Sequence, residues 1–245
     1  MVRQALKART DLGQFRARGR EGTRLESFSD GVFALAVTLL ILSSSVPQTF
    51  AELKQTFADV VPFALCITIL VLIWYEHFKF FYRYGLQDVT TVALNTLLLF
   101  VVLFYVYPLK FLFRILYLYF SRLITGEPVG KLFTEVLPMA EAPSLMVIYG
   151  IGAVSIYGIL AVMFWHAYRM RNELNLSQQE AKVTRNSIIM NLVSTIPPLL
   201  SVLVAVIGIG STLTTFIVAG NVYMLYPILM PVASKLLKKD SIIKA

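Results

Sequence analysis

Six long apolar stretches alternate with short polar connections along this 245-residue chain. Each stretch predicts one membrane helix, because about 20 mostly apolar residues in a helix span the ~30 Å hydrocarbon core of a bilayer. The predicted spans lie at residues 27–45, 60–82, 89–107, 144–168, 187–207 and 211–233. Only Gly208, Ile209 and Gly210 separate the last two spans, which predicts a tight helical hairpin. The predicted fold class is an all-α polytopic membrane protein with no large soluble domain.

Three parts of the chain follow from this pattern: a basic N-terminal segment at 1–23, a six-span domain at 24–233 and a basic tail at 234–245. The N-terminal segment is expected to be solvated or bound to lipid headgroups. The longest connection between spans, about 110–143, begins with an aromatic and basic stretch. That stretch predicts either an interfacial helix or an extension of the third span past Pro108.

Composition agrees with a membrane protein, since 57% of the residues are hydrophobic and the mean hydropathy is +0.71. The net charge of +8 does not indicate a nucleic-acid partner, because the basic residues border the apolar spans instead of forming one stripe. The single Cys66 excludes an intrachain disulfide and a cysteine-based zinc site, and it is expected to be a small packing residue.

The distribution of basic residues predicts the orientation of the chain. Of the 22 Lys and Arg residues, 17 precede the first span, follow the last or lie in the second-to-third and fourth-to-fifth connections. The positive-inside rule therefore places both termini in the cytoplasm, in agreement with an even number of spans. The expected location is the plasma membrane, with lipid as a partner. A signal peptide is disfavoured because Glu26 and Asp30 directly precede the apolar core.

The first span is unusual because its apolar part, 32–42, is too short to cross a bilayer alone. At 100° per residue, one stripe of the helix holds Arg24, Gly31, Leu35, Thr38 and Leu42. Asp30 lies about 140° from Leu35, on the other side. These features predict a helix that is surrounded by protein and does not face lipid.

A carboxylate inside a span must pair, take up a proton or meet water. We hypothesise that Asp30, together with Ser29, bonds to polar groups on the second and third spans and so anchors the first helix. The possible partners are Trp74, Glu76 and His77 on the second span and Asn95 and Thr96 on the third. The alternative is that Asp30 is a partly solvated N-terminal cap. His77 is open to two interpretations, a proton-relay group or a fixed hydrogen-bond partner.

Enzyme chemistry has little support. His77 and His166 are far apart with no HExxH pattern, and the serines lack a GxSxG context, so no enzyme is predicted. His166 is expected to be interfacial. The paired Pro197 and Pro198 are expected to kink the fifth span. The kink either only fits the helix to its neighbours or frees carbonyl groups, which some transporters use for ion sites. A secondary transporter or proton pathway using Asp30 and His77 is thus the alternative function, although no inverted repeat supports it.

The motif R-x-x-x-F-S-D-G-V-F-A begins at Arg24 and ends at Ala34. It resembles the signature first helix of the transmembrane protein 175 family of potassium channels, which are endosomal and lysosomal in animals. Trp74 and His77 in the second span, the chain length and the six spans resemble the prokaryotic branch of that family.

The resemblance implies a potassium-selective, leak-type homotetramer with a central pore lined by four copies of the first helix. Leu35 would form the apolar constriction, a mild departure from the isoleucine common in the family. Thr38 would line the pore one turn on, with potassium bound transiently near it, and Leu42 would follow. Gly31 and Ser45 are also expected to line the pore. No cofactor and no small-molecule substrate are implied. The implied motif scaffold comprises Arg24, Phe28, Ser29, Asp30, Trp74, His77 and Asn95.

Overall fold

The computed structural model describes residues 15–19, 22–42, 47–126 and 137–242, and within these ranges every regular element is helical. The nine α-helices are α1 Arg24–Leu42, α2 Phe50–Ala58, α3 Val60–Tyr84, α4 Val89–Thr125, α5 Ala142–Arg169, α6 Gln178–Ser194, α7 Ile196–Ile207, α8 Thr212–Asn221 and α9 Tyr226–Ile242. Single 3₁₀ turns at Met139–Glu141 and Val222–Leu225 precede α5 and α9.

Five stretches of the described chain are long and apolar enough to cross a membrane, and they correspond to the predicted second to sixth spans. They are Val60–Tyr84, Val89–Tyr119, Met139–Arg169, Gln178–Ile207 and Thr212–Leu237. The shorter α1, which carries Arg24, Glu26 and Asp30, is not among them. The first span, and with it the total of six, therefore stays a prediction.

Helix α1 begins where the sequence supplies a cap. The hydroxyl of Thr23 accepts the N–H of Glu26 at 3.0 Å, and the acidic Glu26 lies in the first turn, where it complements the helix dipole. The helix packs against α3 and α4. Its buried face carries Phe33, Ala36 and Leu40, which join the main apolar core.

Helix α4 decides between the two predictions for the stretch after 107, because it continues unbroken from Val89 to Thr125. The separate interfacial helix is therefore wrong. Pro108 lies inside α4, and the hydroxyl of Tyr149 on α5 donates to its carbonyl oxygen. At 1.5 Å per residue, the 37 residues of α4 extend about 55 Å, well beyond the hydrocarbon thickness.

The predicted fifth span consists of two helices, α6 and α7, separated by a turn at Thr195. Pro197 and Pro198 occupy the first turn of α7, where a missing N–H costs least. Pro198 has no N–H to donate to the carbonyl of Ser194, and the hydroxyl of Tyr226 donates there at 2.7 Å. The predicted hairpin is confirmed, since α7 ends at Ile207 and α8 begins at Thr212.

The helices define two ends of the bundle. At the proximal end α1 and α6 begin and α3 ends, as the contacts of 15–19 with Tyr82 and Glu180 show. At the distal end α1 terminates, beside Lys110 of α4.

Candidate functional site

Helix α1 has one face packed against its own chain and an opposite face that nothing in the described residues covers. Phe33, Ala36 and Leu40 are buried, and they lie about 100–160° around the helix from Leu35. Leu35 is 50% exposed, and Thr38 is exposed as well. This face of α1 therefore has no neighbour among the described residues, and it is available to lipid or to another chain.

The remaining predicted stripe residues fall on the same open side or outside the description. Arg24 and Gly31 are exposed, and a Cβ added to Gly31 would meet nothing within 4 Å. Phe28 is exposed beside them. The backbone of Leu42 ends α1, and Ser45 lies outside the described residues. The structure therefore gathers Arg24, Gly31, Leu35 and Thr38 on one face.

A fully buried chain of hydrogen bonds ties the packed face of α1 to α4 and α3. The hydroxyl of Ser29 donates to the carbonyl of Leu25 at 2.8 Å and accepts from the side-chain amide of Asn95 at 2.9 Å. The amide oxygen of Asn95 lies 2.8 Å from Nε2 of His77. Since that oxygen only accepts, Nε2 carries the proton. Three helices are thus joined through three side chains that are inaccessible to solvent.

Asp30 makes a second connection, to α3 alone. The indole N–H of Trp74 donates to Oδ1 of Asp30 at 2.8 Å. The alternative that Asp30 is an N-terminal cap is wrong, because α1 begins six residues earlier and Thr23 holds the cap position. Asp30 and Ser29 therefore make the contacts to the second and third predicted spans that the sequence suggested.

The surroundings of His77 fit a fixed hydrogen-bond partner. Its ring lies between Phe33 and Phe81, with centroids 5.5 and 4.8 Å away. Its Nδ1 is buried and has no hydrogen-bond partner among the described residues. A proton relay needs a partner on each side of the imidazole, and within the described part of the chain only Nε2 has one.

At the distal end, the ammonium group of Lys110 donates to the carbonyl oxygen of Leu40 at 3.2 Å. A cation at a helix C-terminus offsets the negative end of the helix dipole and bonds a carbonyl that lacks a partner within the helix. Sequence reasoning placed Lys110 in a connection and missed this contact. The available signal was a lone lysine within an aromatic and apolar helix extension.

His166 was expected to be interfacial, and the structure gives it a specific partner at the proximal end. Its Nε2 lies 2.9 Å from Oδ2 of Asp88, which caps α4 by accepting from the N–H groups of Thr90 and Thr91. Burial acts to raise the pKa of Asp88, but hydrogen bonds from Thr91 and the charge of His166 outweigh it, so the pKa lies below its ordinary value.

The prediction of a solvated or headgroup-bound N-terminal segment is wrong for residues 15–19. Phe15 is buried, and the backbone and side chains of this segment bond to α3 and to the start of α6. The expected packing role of Cys66 is confirmed by its complete burial.

Comparison with known proteins places this arrangement in a family. The family model described as "Endosomal/lysosomal potassium channel TMEM175" matches residues 24–105, which hold α1, its partners on α3 and the start of α4. A potassium channel of Marivirga tractuosa is 44% identical over 232 residues, covering 93% of this chain and 92% of the relative. A potassium channel of Chamaesiphon minutus is 32% identical over 96 residues, covering 36% of this chain and 47% of the relative.

A solved structure extends the likeness to the whole fold. The crystal structure of the potassium channel MtTMEM175 T38A variant, in complex with a Nanobody-MBP fusion protein, matches with a TM-score of 0.82 and 42% identity. The match covers 92% of this chain and 97% of that one. With a relative this similar over nearly its full length, the chain belongs to the TMEM175 family, as a prokaryotic member.

Proposed function

We propose that this protein is a potassium channel whose pore is lined by α1 from several copies of the chain. The observation that carries the proposal is the uncovered face of α1, which holds Gly31, Leu35 and Thr38 opposite a face anchored by Ser29. Membership in a family of potassium channels supplies the kind of ion. The family resemblance implies a homotetramer, and four copies around an axis would cover this face and enclose a pore, so that is the proposed assembly.

Leu35 is the proposed constriction. Half of its side chain is uncovered in the single chain, and four leucines around an axis would form an apolar neck that gates by dewetting. Leu42 would add an apolar ring one further turn along. Gly31 and Ser45 would line wider parts of the pore on either side.

Thr38 is the proposed selective element. Its hydroxyl donates to the carbonyl of Ala34 at 3.0 Å, so its proton is held by its own helix. The oxygen keeps lone pairs that are directed away from that bond. A ring of four such oxygens would replace part of the water shell of potassium, which would bind there transiently. No cofactor is required for this function.

The proximal end is the proposed cytoplasmic end, with both termini on that side of the plasma membrane. The guanidinium of Arg169 lies over the ring of Trp165 at 5.0 Å, a basic and aromatic pair suited to a membrane interface. We further propose leak-type conduction. The alternative of a secondary transporter using Asp30 and His77 is not favoured, because the full-length relative is named a potassium channel.

The reversal potential of purified protein in planar bilayers, with potassium on one side and sodium on the other, tests the proposal. Unitary current steps that reverse near the potassium potential are expected. Slow, saturating flux that requires a second ion would contradict the channel and support the transporter.

A further inference from the structure

Residues 15–19, here called the N-terminal latch, are built into the proximal end of the bundle. Phe15 is 5% exposed, and its ring meets that of Tyr84 edge-on at 5.5 Å. The N–H of Gly19 donates to the carbonyl of Tyr82 at 3.2 Å. A Cβ at Gly19 would lie 2.1 Å from the carbonyl oxygen of Phe81, so only glycine permits this approach.

Every N–H of the Arg18 guanidinium donates a hydrogen bond, most of them from the latch to Glu180 and to the turn before α6. Nη1 and Nη2 each donate at 3.0 Å to one carboxylate oxygen of Glu180, the paired geometry that makes arginine–carboxylate contacts strong. The remaining bonds go to backbone carbonyl oxygens: Nε to Leu174 at 2.9 Å, Nη1 to Arg16 at 2.9 Å and Nη2 to Asn175 at 3.2 Å.

Glu180 serves the latch and α6 together. Its side chain is 6% exposed and accepts from the N–H of Arg16 at 2.8 Å as well as from Arg18. It also accepts from the N–H of Ser177, completing the capping box that starts α6. Removing the cation from a buried carboxylate strongly destabilises the folded state. The pair of Arg18 and Glu180 therefore holds the latch and the start of α6 together.

The latch directly precedes the proposed pore helix. Residues 20–23 are all that separate Gly19 from Arg24, the first residue of α1. A connection this short reaches at most about 17 Å when fully extended, so a fixed Gly19 restricts where α1 can begin. Ser29 and Asp30 hold α1 further along, and the latch is the contact upstream of its first turn.

We propose that the N-terminal latch positions the start of α1 and so keeps the pore in its conducting arrangement, with Arg18 and Glu180 as positioning residues. The inference rests on the proposed function of α1. When the latch is released, the first turn of α1 can occupy additional positions in which the pore does not conduct. The time spent in these positions lowers the open probability of the channel. The neck at Leu35 is distant from the latch in the chain, so the current through an open channel should not change.

The test compares Glu180→Gln with Glu173→Gln in the full chain. Glutamine at 180 can still complete the capping box but removes the charge that holds Arg18. Glu173 is an exposed carboxylate in the turn before α6, so its variant controls for net charge. Tryptic cleavage after Arg16 and Arg18, followed by mass spectrometry, reports release of the latch. Single-channel recording in symmetrical potassium reports open probability and unitary conductance.

For Glu180→Gln we expect tryptic cleavage to accelerate by about tenfold, because the variant loses one charge-assisted contact. We also expect the open probability to fall while the unitary conductance stays the same. Glu173→Gln should match the wild type in both. Loss of folded channels alone would lower the number of channels and leave the open probability of each one unchanged. Unchanged cleavage, or faster cleavage with unchanged open probability, overturns the proposal.

A second pair of variants tests the other side of the contact. Arg18→Gln should reproduce the gating change of Glu180→Gln, whereas Arg16→Gln, which removes an equal charge from an exposed side chain, should not. The double variant Arg18→Gln/Glu180→Gln should be no worse than either single one, because both break one interaction. Additive effects contradict the latch. Absence of potassium current from the wild type would instead overturn the proposed function, and the latch proposal with it.

Discussion

The side-chain amide of Asn95 donates to the hydroxyl of Ser29 at 2.9 Å, and both side chains are fully buried. Each of these residues also bonds to a further group, Asn95 to His77 and Ser29 to its own helix. A polar group in an apolar interior costs free energy unless it is paired. Because each partner satisfies the other, α1 and α4 are held in one register.

Asn95→Ala should therefore destabilise the protein by about 1–2 kcal/mol, because it removes two interhelical hydrogen bonds that contribute about 0.6–1.7 kcal/mol each in a membrane protein. The substitution leaves Nε2 of His77 without its acceptor. Thr96→Ala is the matched control, since Thr96 is exposed and bonds only to the carbonyl of Val92 in its own helix. Thermal unfolding in detergent measures the difference, and equal melting midpoints for the two variants would contradict it.

Asp30→Asn should weaken the bond from Trp74 by removing the charge on its acceptor, and we expect fewer or less stable assemblies. Trp74→Phe removes the donor, so the two substitutions should be non-additive in a double-mutant cycle. Size-exclusion chromatography of detergent extracts gives the assembled fraction. An intact, abundant assembly with altered rectification would place Asp30 in the pore.

Leu35→Ala should enlarge the apolar neck and raise unitary potassium conductance severalfold. Ile41→Ala is the control, because Ile41 is 57% exposed but lies about 120° around α1 from Leu35. Single-channel recording compares the two. An unchanged conductance in a normally assembled Leu35→Ala channel would remove Leu35 from the constriction.

Thr38→Ala should move the permeability ratio of potassium to sodium toward unity, because it removes the proposed ring of oxygens. Thr38→Ser keeps the hydroxyl and the bond to Ala34, so it should stay close to the wild type. The bi-ionic reversal potential measures both variants. If the alanine variant retains the wild-type ratio, selectivity arises elsewhere.

Asp88 should make a stability contribution that depends on pH. Its pKa in the folded protein lies below the ordinary value of about 3.9, so the contribution is present above that pH and is lost as the pH falls through the folded pKa. Asn remains a good N-cap, so Asp88→Asn isolates the charge. The melting midpoint of the wild type should exceed that of the variant at neutral pH, and the difference should disappear in acid.

His166→Gln provides the check on this prediction. Removing the imidazole should raise the pKa of Asp88 toward its ordinary range, so the loss of stability in acid should be smaller and should be complete at a higher pH. An acid dependence identical to that of the wild type would mean that His166 does not influence Asp88.

Sequence reasoning was effective where the information is local or periodic. Apolar runs located the five long stretches, and the period of the helix separated Leu35 from the side that carries Asp30. Polar residues inside spans have few possible partners, so Trp74, His77 and Asn95 could be named as candidates from the sequence. Glu76 and Thr96 were candidates on the same grounds, but the structure pairs them with Lys79 and with the carbonyl of Val92.

The latch was out of reach because its partners are distant in the chain. Arg16 and Glu180 are 164 residues apart, and neither sequence neighbourhood predicts the other. Its charges also resemble the basic flanks that orient membrane proteins. One local signal was missed: Ser177 followed by Glu180 is a capping box, which predicts the start of α6 at Gln178.

The bond from Tyr226 to the carbonyl of Ser194 has a consequence for the mechanics of the bundle. The interruption before Pro198 leaves a backbone oxygen that would otherwise attract water or an ion, and a side chain from α9 occupies it. The break between α6 and α7 at the two prolines is thereby bonded to α9. The pair α6–α7 and the helix α9 should move as one rigid body, and bending at this break requires the bond to open first.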